Sequence, residues 1–387
     1  MFPARIRLFS LLGFRVSIDI SWFFLAAYLV LNLYWHFRSE VPRLETQAYL
    51  AMSIAGALGL FLSIILHELA HAVVARRFGL PIGGITLFIF GGVAELRQEP
   101  VTPRSEFWVA IVGPVASMAV AGACLGGSIA MELAGGAAGG AVLDFLHQTN
   151  AALALFNLVP AFPLDGGRIL RSLIWWRSGS LRRATRIASL FGTLFGALLI
   201  FLGLSEIAGG HAMPGTWFIL IGIFLAAAAS QSRHQTEISL DLKGVSVADI
   251  MDRTPVAVPA GITVDALVNE YIYKLNLKFA VVVEDGLALG HAGPRQIRQF
   301  PQSQWHDTYA RAIAVPFTHD TVAAPGAPAF EALRKLQSNG IGYLAVLEGR
   351  KLVGTVSEAN FVNYLSVREA LASSSGKAPA GTAASSR

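Results

Sequence analysis

Lysine is missing from the first 229 residues of this sequence, and acidic residues and cysteine are scarce there too. All six lysines lie beyond residue 231, and the whole chain is 54% hydrophobic and 14% charged. This shortage of charge excludes an ordinary soluble enzyme and predicts that lipid solvates the first part of the chain. The single cysteine, Cys124, excludes an intramolecular disulfide and a cysteine-based zinc site. No basic stripe with interleaved aromatic residues is present, so a nucleic-acid partner is not expected.

The first part of the chain instead contains long apolar stretches. A helix needs roughly 20 apolar residues to cross the hydrocarbon core of a bilayer. Six stretches meet or approach this length, at residues 17–36, 49–75, 106–131, 141–160, 184–206 and 214–230. With the N-terminus in the cytoplasm, fourteen arginines lie on the cytoplasmic side against two, Arg38 and Arg43, outside. The positive-inside rule therefore predicts a multi-pass protein of the plasma or inner membrane with both termini cytoplasmic.

One apolar stretch carries three ionisable residues, His67, Glu68 and His71, in an HExxH pattern. Side chains four apart lie on the same face of a helix, so the two imidazoles can hold one zinc ion. Glu68 can then accept a proton from a water at the metal. Each ionisable group would cost about 2.5 to 3.5 kcal/mol near the bilayer centre, so the cluster needs a common partner. A metal ion provides one.

A catalytic zinc ion usually has three protein ligands, so a third must come from elsewhere in the chain. The candidate is Asp165, which follows two prolines and precedes Gly166 and Gly167. Prolines end helices and glycines permit sharp turns, so we expect this carboxylate on non-helical backbone at membrane depth. Taken alone, the Asp-Gly-Gly sequence is equally consistent with a simple turn.

The two motifs together resemble the site-2 protease family of intramembrane metalloproteases. The resemblance covers most of the first 230 residues and extends through Gly113-Pro114 and residues 157–167. It implies one Zn²⁺ per chain bound by His67, His71 and Asp165, with Glu68 as the catalytic base. By the same analogy Asn157 contacts the substrate or the oxyanion; the alternative is a helix-packing amide.

Residues 81–96 predict a small β-hairpin between the second and third spans. β-Branched and aromatic residues at 85–90 precede Gly91 and Gly92, which we expect to form the turn. A protease must bind its target extended, so an edge strand here could pair with an unwound substrate, and Gly91 and Gly92 are candidate substrate-binding residues. The alternative is a hairpin that only links two helices.

The last part of the chain predicts a separate soluble module. A polar linker at residues 231–246 leads to two copies of a repeat of about 60 residues in which strands alternate with helices. We expect one copy at residues 247–301 and the other at 302–371. A Ser/Ala/Gly/Pro-rich tail at 372–387 is predicted to be disordered.

The two copies resemble a tandem pair of CBS domains, which implies adenine-nucleotide binding. Where the family commonly has Ser or Thr followed by Asp to grip a ribose, this chain has Gly293 with Gln296 and Ser357 with Asn360. Neutral amides bind a hydroxyl less strongly than a carboxylate does. A structural or dimerising role, which would make the protein a homodimer through its CBS domains, is therefore equally compatible with the sequence.

The predicted fold is a polytopic α-helical membrane protein, with six transmembrane helices and a small β-hairpin at residues 1–230, joined to an α/β tandem CBS domain. The predicted function is zinc-dependent hydrolysis of a peptide bond in or near the transmembrane segment of a membrane-anchored protein. An alternative is a non-catalytic membrane regulator with a metabolite-sensing CBS pair, which would not need Glu68. A third possibility, a metal transporter gated by the CBS domains, would need a second set of intramembrane carboxylates to form a pathway, and this sequence lacks them.

Overall fold

The computed structural model describes residues 5–80, 82–88, 91–96 and 102–375. It divides the chain into two compact units, Met1–Thr236 and Glu237–Arg387. Unit 1 contains a β-sheet and seven helices among its described residues, and unit 2 contains two small sheets with short helices. The predicted linker begins inside a helix, because the last helix of unit 1 continues to Asp241.

Unit 1 opens with a four-stranded sheet in sequence order. Its strands are β1 (Arg5–Leu11), β2 (Phe14–Asp19), β3 (Ile82–Phe88) and β4 (Gly91–Leu96). β2 pairs with β1 antiparallel and with β3 parallel, and β3 pairs with β4 antiparallel. The predicted hairpin is thus half of a larger sheet, with β4 at one edge. Gly91 and Gly92 are not the turn, since they pair with Phe88 and Leu87 inside the ladder; residues 89–90 lie outside the described residues.

The helices of unit 1 follow the predicted spans, with one addition. They are α1 (Ser21–Glu40), α2 (Thr46–Arg77), α3 (Pro103–Leu133), α4 (Ala137–Asn157), α5 (Asp165–Ser178), α6 (Leu181–Ala208) and α7 (Ala212–Asp241). Within the described part of the chain, four are long and apolar enough to cross a membrane: α2, α3, α6 and α7. The chain is therefore a membrane protein. α1 and α4 stand where the first and fourth spans are predicted but do not reach that apolarity, so the count of six stays a prediction.

The N-terminal sheet packs on the helix that carries the HExxH pattern. Val16 and Ile18 of β2 are buried against Ile65 of α2. At the far end of α2 the Arg76 guanidinium donates to the Leu12 carbonyl at 2.8 Å and lies over the Phe14 ring. These contacts fix the sheet beside α2, and β3 and β4 both lie against the same helix.

Unit 2 consists of two copies of one topology. The first comprises α8 (Val247–Ile250), β5 (Ala257–Pro259), α9 (Val264–Ala266) continued by a π-helical stretch (Leu267–Tyr273), β6 (Ala280–Glu284), β7 (Leu287–Ala292), α10 (Pro294–Ile297) and a 3-10 turn (Gln302–Gln304). The second comprises α11 (Ala310–Ile313), β8 (Val315–Pro316), β9 (Val322–Ala323), α12 (Ala329–Asn339), β10 (Tyr343–Glu348), β11 (Lys351–Ser357) and α13 (Glu358–Ser375). In each copy a short strand pairs parallel with the strand after the helix, which pairs antiparallel with the next.

The two copies exchange edge contacts and share a core. β8 of the second copy joins the sheet of the first by pairing with β7, and Asp252 of the first copy forms a bridge to Thr355 in β11. Phe279, which immediately precedes β6, stacks on Tyr343, the first residue of the equivalent strand β10, with ring centroids 5.8 Å apart. The second copy ends later than predicted, since α13 runs to Ser375. The rest of the predicted disordered tail, residues 376–387, lies outside the described residues.

Candidate metal centre

The HExxH residues lie within an uninterrupted helix, α2, so the helical prediction for them is correct. His67 and His71 are one turn apart, and both side chains are buried. Their Nε2 atoms are 3.1 Å from each other. Two ring nitrogens at this distance present two lone pairs to one point.

Asp165 reaches the same point from a different part of the chain. It is the first residue of α5, after an extended Leu164, so it is helical and not in the predicted turn. The following glycines serve close packing instead. A Cβ on Gly167 would lie 2.5 Å from the Ala161 carbonyl carbon, and one on Gly166 would overlap the Leu158 carbonyl. The chain before α5 therefore folds back tightly over its first turn.

The three predicted ligands converge. Asp165 Oδ2 lies 3.2 Å from His67 Nε2 and 3.1 Å from His71 Nε2. A tetrahedral zinc ion with bonds of about 2.0–2.1 Å requires its ligand atoms to be about 3.3 Å apart. The other carboxylate oxygen, Oδ1, is 4.0 Å from the Arg168 guanidinium. Two imidazoles and one carboxylate in this arrangement fit zinc and leave the fourth position to water or substrate.

Each imidazole is oriented by a contact with α3. His71 Nδ1 lies 2.6 Å from the Val109 carbonyl, which can only accept, so Nδ1 carries the proton and Nε2 is free to bind a metal. His67 Nδ1 lies 2.9 Å from the Ser117 hydroxyl. Such partners fix the ring and tautomer of metal-binding histidines in general.

Gly113 of α3 leaves the space in which the ligand atoms meet. A Cβ at this position would lie 2.5 Å from His71 Cε1 and 2.7 Å from His67 Nε2. Any larger side chain would therefore occupy the volume in front of both ring nitrogens. The absence of a side chain at Gly113 therefore lets the backbone of α3 approach both ring nitrogens at the point where the three ligand atoms converge.

Comparison with known proteins agrees with this geometry. The sequence profile described as Peptidase family M50 matches residues 55–133 and 125–201, which include His67, His71 and Asp165. A relative from Mycobacterium tuberculosis, named "Putative zinc metalloprotease Rip3", is 35% identical over 324 residues, which is 82% of each chain. The chain belongs to peptidase family M50. The resemblance to site-2 proteases and the prediction of a metalloprotease are thereby confirmed.

Other similarities extend over the rest of this M50 peptidase. "Putative zinc metalloprotease sll0528" from Synechocystis is 31% identical, with 93% of this chain and 95% of the relative covered. The solved structure "Site-2 Protease from Methanocaldococcus jannaschii" is similar over 59% of this chain and 94% of the solved chain, at 26% identity and a TM-score of 0.41. The CBS domain profile matches residues 314–367, within the second copy of the repeat.

The remaining predicted site residues of the M50 peptidase lie at different places in unit 1. Glu68 is half-buried beside His67 on α2. Asn157 is the last residue of α4, and its amide donates to the Leu153 carbonyl of its own helix at 3.0 Å. Gly91 and Gly92 belong to β4, which lies against α2. The roles of these residues stay predictions.

Sequence reasoning missed a buried ion pair between α3 and α5 of the M50 peptidase. The Arg171 guanidinium donates through Nε to Glu106 Oε1 at 2.6 Å, and its terminal nitrogen contacts the same oxygen. Arg171 counts among the fourteen arginines assigned to the cytoplasmic side, but its side chain is buried, so it is no evidence for orientation. The signal was present in the sequence: Glu106 begins the third apolar stretch, and a carboxylate in an apolar helix needs a partner.

Proposed function

We propose that this protein is an intramembrane zinc protease that cuts a membrane-anchored protein within or beside its transmembrane segment, as in regulated intramembrane proteolysis. The observation that carries the proposal is the convergence of His67, His71 and Asp165, whose ligand atoms lie 3.1–3.2 Å apart inside a membrane unit. Two histidines and one carboxylate with an open fourth position are typical of hydrolytic zinc sites.

A zinc ion bound there would polarise the substrate carbonyl and lower the pKa of water. The protein's own groups supply the rest of the chemistry. Glu68 accepts the proton of the attacking water and passes it to the amine nitrogen that leaves. The Val109 carbonyl and the Ser117 hydroxyl keep the two imidazoles in place. The Arg168 guanidinium lies 4.0 Å from the second oxygen of Asp165.

The Glu68→Gln variant tests the proposal. Because Glu68 transfers protons and is not one of the three converging ligands, we expect the variant to lose cleavage while retaining zinc near the wild-type content. Glu132→Gln, an exposed acid at the end of α3, is the matched control and should cleave normally. Cleavage of a co-expressed single-span protein is the readout. A Glu68→Gln protein that still cleaves would rule out the role of Glu68 and favour a non-catalytic regulator.

We also propose that all six predicted spans cross the plasma or inner membrane, with both termini cytoplasmic. Arg76 and Arg77 at the end of α2, and Arg182 and Arg183 at the start of α6, support this orientation because basic residues favour the cytoplasmic side. In a Cys124→Ser background, cysteines at the exposed positions Ser39 and His211 should react with an impermeant thiol reagent from outside. Reaction of either only after permeabilisation would contradict the arrangement.

Substrate entry is proposed to use the edge strand β4. β4, which includes Gly91 and Gly92, lies against the helix that carries Glu68, and one of its edges pairs with no other strand among the described residues. An extended peptide can pair with such an edge, but a helical one hides its carbonyls. Substrates should therefore contain helix-weakening residues near the cut bond. Equal cleavage of a uniformly Leu-rich transmembrane segment would argue against this route.

The CBS pair is proposed to dimerise the protein. Val367 and Leu371 lie one turn apart on α13 and are 59% and 66% exposed, which is unusual for large apolar residues on a polar module. Nucleotide binding has less support because Asn360 Oδ1 already accepts from the Ser357 amide and hydroxyl at 2.8 and 2.7 Å.

The Val367→Asp variant tests the dimer. We expect it to shift the protein from dimer to monomer in light scattering. Val362→Asp changes an equally exposed residue on another face of α13 and should leave the dimer intact. A dimer that appears only after ATP is added would favour the nucleotide interpretation.

A further inference from the structure

The Glu106–Arg171 ion pair has no part in the chemistry just described, yet it is among the most deeply buried polar contacts of unit 1. Glu106 is fully buried and Arg171 is 4% exposed. Glu106 Oε1 accepts from two guanidinium nitrogens, whereas Oε2 has no hydrogen-bond partner among the described residues. A buried pair with an unsatisfied oxygen contributes little to stability compared with apolar residues of the same size. Its presence calls for another explanation.

Each partner of this pair is close in sequence to one half of the metal centre. Glu106 is one turn before Val109, whose carbonyl holds the His71 ring at 2.6 Å. Arg171 lies six residues after Asp165 on α5, which corresponds to about 9 Å along a helix. The ion pair therefore joins the helix that orients an imidazole to the helix that carries the carboxylate.

Arg171 makes a second contact that bears on the position of Asp165. Its guanidinium lies over the Phe162 ring, 5.0 Å from the centroid. Phe162 belongs to the segment that folds back before α5, and its amide donates to the Ala188 carbonyl of α6 at 3.4 Å. One side chain thus contacts α3 and the segment that precedes Asp165, and it is itself part of α5.

We propose that Glu106 and Arg171 are positioning residues: together they set the distance between Asp165 and the two imidazoles. This inference rests on the proposed zinc site. Asp165 is on α5, which is distant in sequence from α2 and α3. The position of α5 relative to those two helices therefore depends on side-chain contacts. A charged, directional pair fixes that position more narrowly than apolar packing, because a slip of either helix would leave a buried charge without a partner.

Replacing both charges separates positioning from simple stabilisation. The double variant Glu106→Met/Arg171→Met removes the pair but fills its volume, and such replacements commonly preserve folding. We expect the zinc-free double variant to melt within a few degrees of wild type while its zinc affinity, from chelator competition, falls about 10- to 100-fold. Ser128→Ala removes a contact between α3 and the Gly140 carbonyl of α4, and as a control it should leave zinc affinity unchanged.

Arg171→Lys provides a second measurement that does not depend on the double variant folding. Lysine keeps the charge but loses the planar two-nitrogen contact and the stacking on Phe162. We expect a zinc affinity between those of wild type and the double variant, with a normal melting temperature. Wild-type zinc affinity in Arg171→Lys, or in a folded double variant, would overturn the positioning role. A different result would overturn the proposed function itself: a wild-type protein that binds no zinc, or zinc binding that does not depend on His67 and His71.

Discussion

Substituting Gly113 by alanine tests whether the space between the three ligand atoms is the metal site. The added Cβ would lie 2.5 Å from His71 Cε1 and 2.7 Å from His67 Nε2, whereas ordinary contact begins near 3.4 Å. A third contact, with His71 Nε2, would be closer still, so the rings or the helix must separate by at least about 0.9 Å. Zinc sites tolerate only about 0.2 Å in their bond lengths, so the ligands cannot absorb this shift and still meet the ion.

The size of the effect follows from how tightly the rings are held. The Val109 carbonyl restrains His71 at 2.6 Å, so the ring cannot rotate away without losing that hydrogen bond. Overpacking in a close-packed interior costs about 1–3 kcal/mol. If this cost falls on the zinc-bound state, the zinc dissociation constant should rise about 5- to 150-fold, because 1.4 kcal/mol is a factor of ten.

Chelator competition on the purified, detergent-solubilised variant measures this constant directly. Gly122→Ala and Gly126→Ala are matched controls on the same helix, since a Cβ at either position meets no atom within 4 Å. Both should bind zinc as the wild type does, and both should melt at or slightly above its temperature because alanine favours helix. A Gly113→Ala protein with wild-type zinc affinity would refute the placement of the ion in front of Gly113.

Three further predictions concern other parts of the molecule. Gly192→Ala places a Cβ 2.9 Å from the Phe162 carbonyl carbon, so it should displace the segment before Asp165 and lower both melting temperature and zinc affinity, measured against Gly126→Ala. Burial lowers the pKa of His291, so its neutral ring stabilises unit 2 fully above about pH 6.5 and this contribution is lost as the pH falls. The hydrogen-exchange protection of β7, corrected for the intrinsic slowing of amide exchange in acid, should accordingly fall as the pH is lowered in the wild type but not in His291→Phe; equal acid sensitivity of both would contradict the assignment. Gly340→Ala, at φ 65° after α12, should destabilise that helix by about 1–2 kcal/mol in hydrogen exchange, and unchanged protection would count against the left-handed cap.

The sequence predicted the metal site better than the backbone around it. His67 and His71 follow from helical spacing alone, because residues four apart share a face wherever the helix lies. Asp165 required the family resemblance, since no local pattern relates it to α2. Its backbone was predicted wrongly as a turn: glycines after an aspartate indicate a turn in general, but here they permit close contact with the preceding segment within a helix.

Contacts between distant parts of the chain explain what was missed. Strand β1 and the first half of β2 precede the first predicted span, and that span began inside β2 because apolar residues there suit a strand and a membrane helix equally. The parallel pairing of β2 with β3 joins residues nearly 70 positions apart, which no local pattern encodes. The repeat in unit 2 was predictable because both copies show the same strand and turn signals.

The most direct test of the zinc site is the anomalous diffraction of zinc in crystals of the wild-type protein. We predict one peak in unit 1, about 2.0–2.2 Å from His67 Nε2, His71 Nε2 and one oxygen of Asp165. The peak should be absent from an Asp165→Ala crystal grown at the same zinc concentration. A zinc ion bound elsewhere, or held by the two imidazoles while Asp165 points away, would contradict the account.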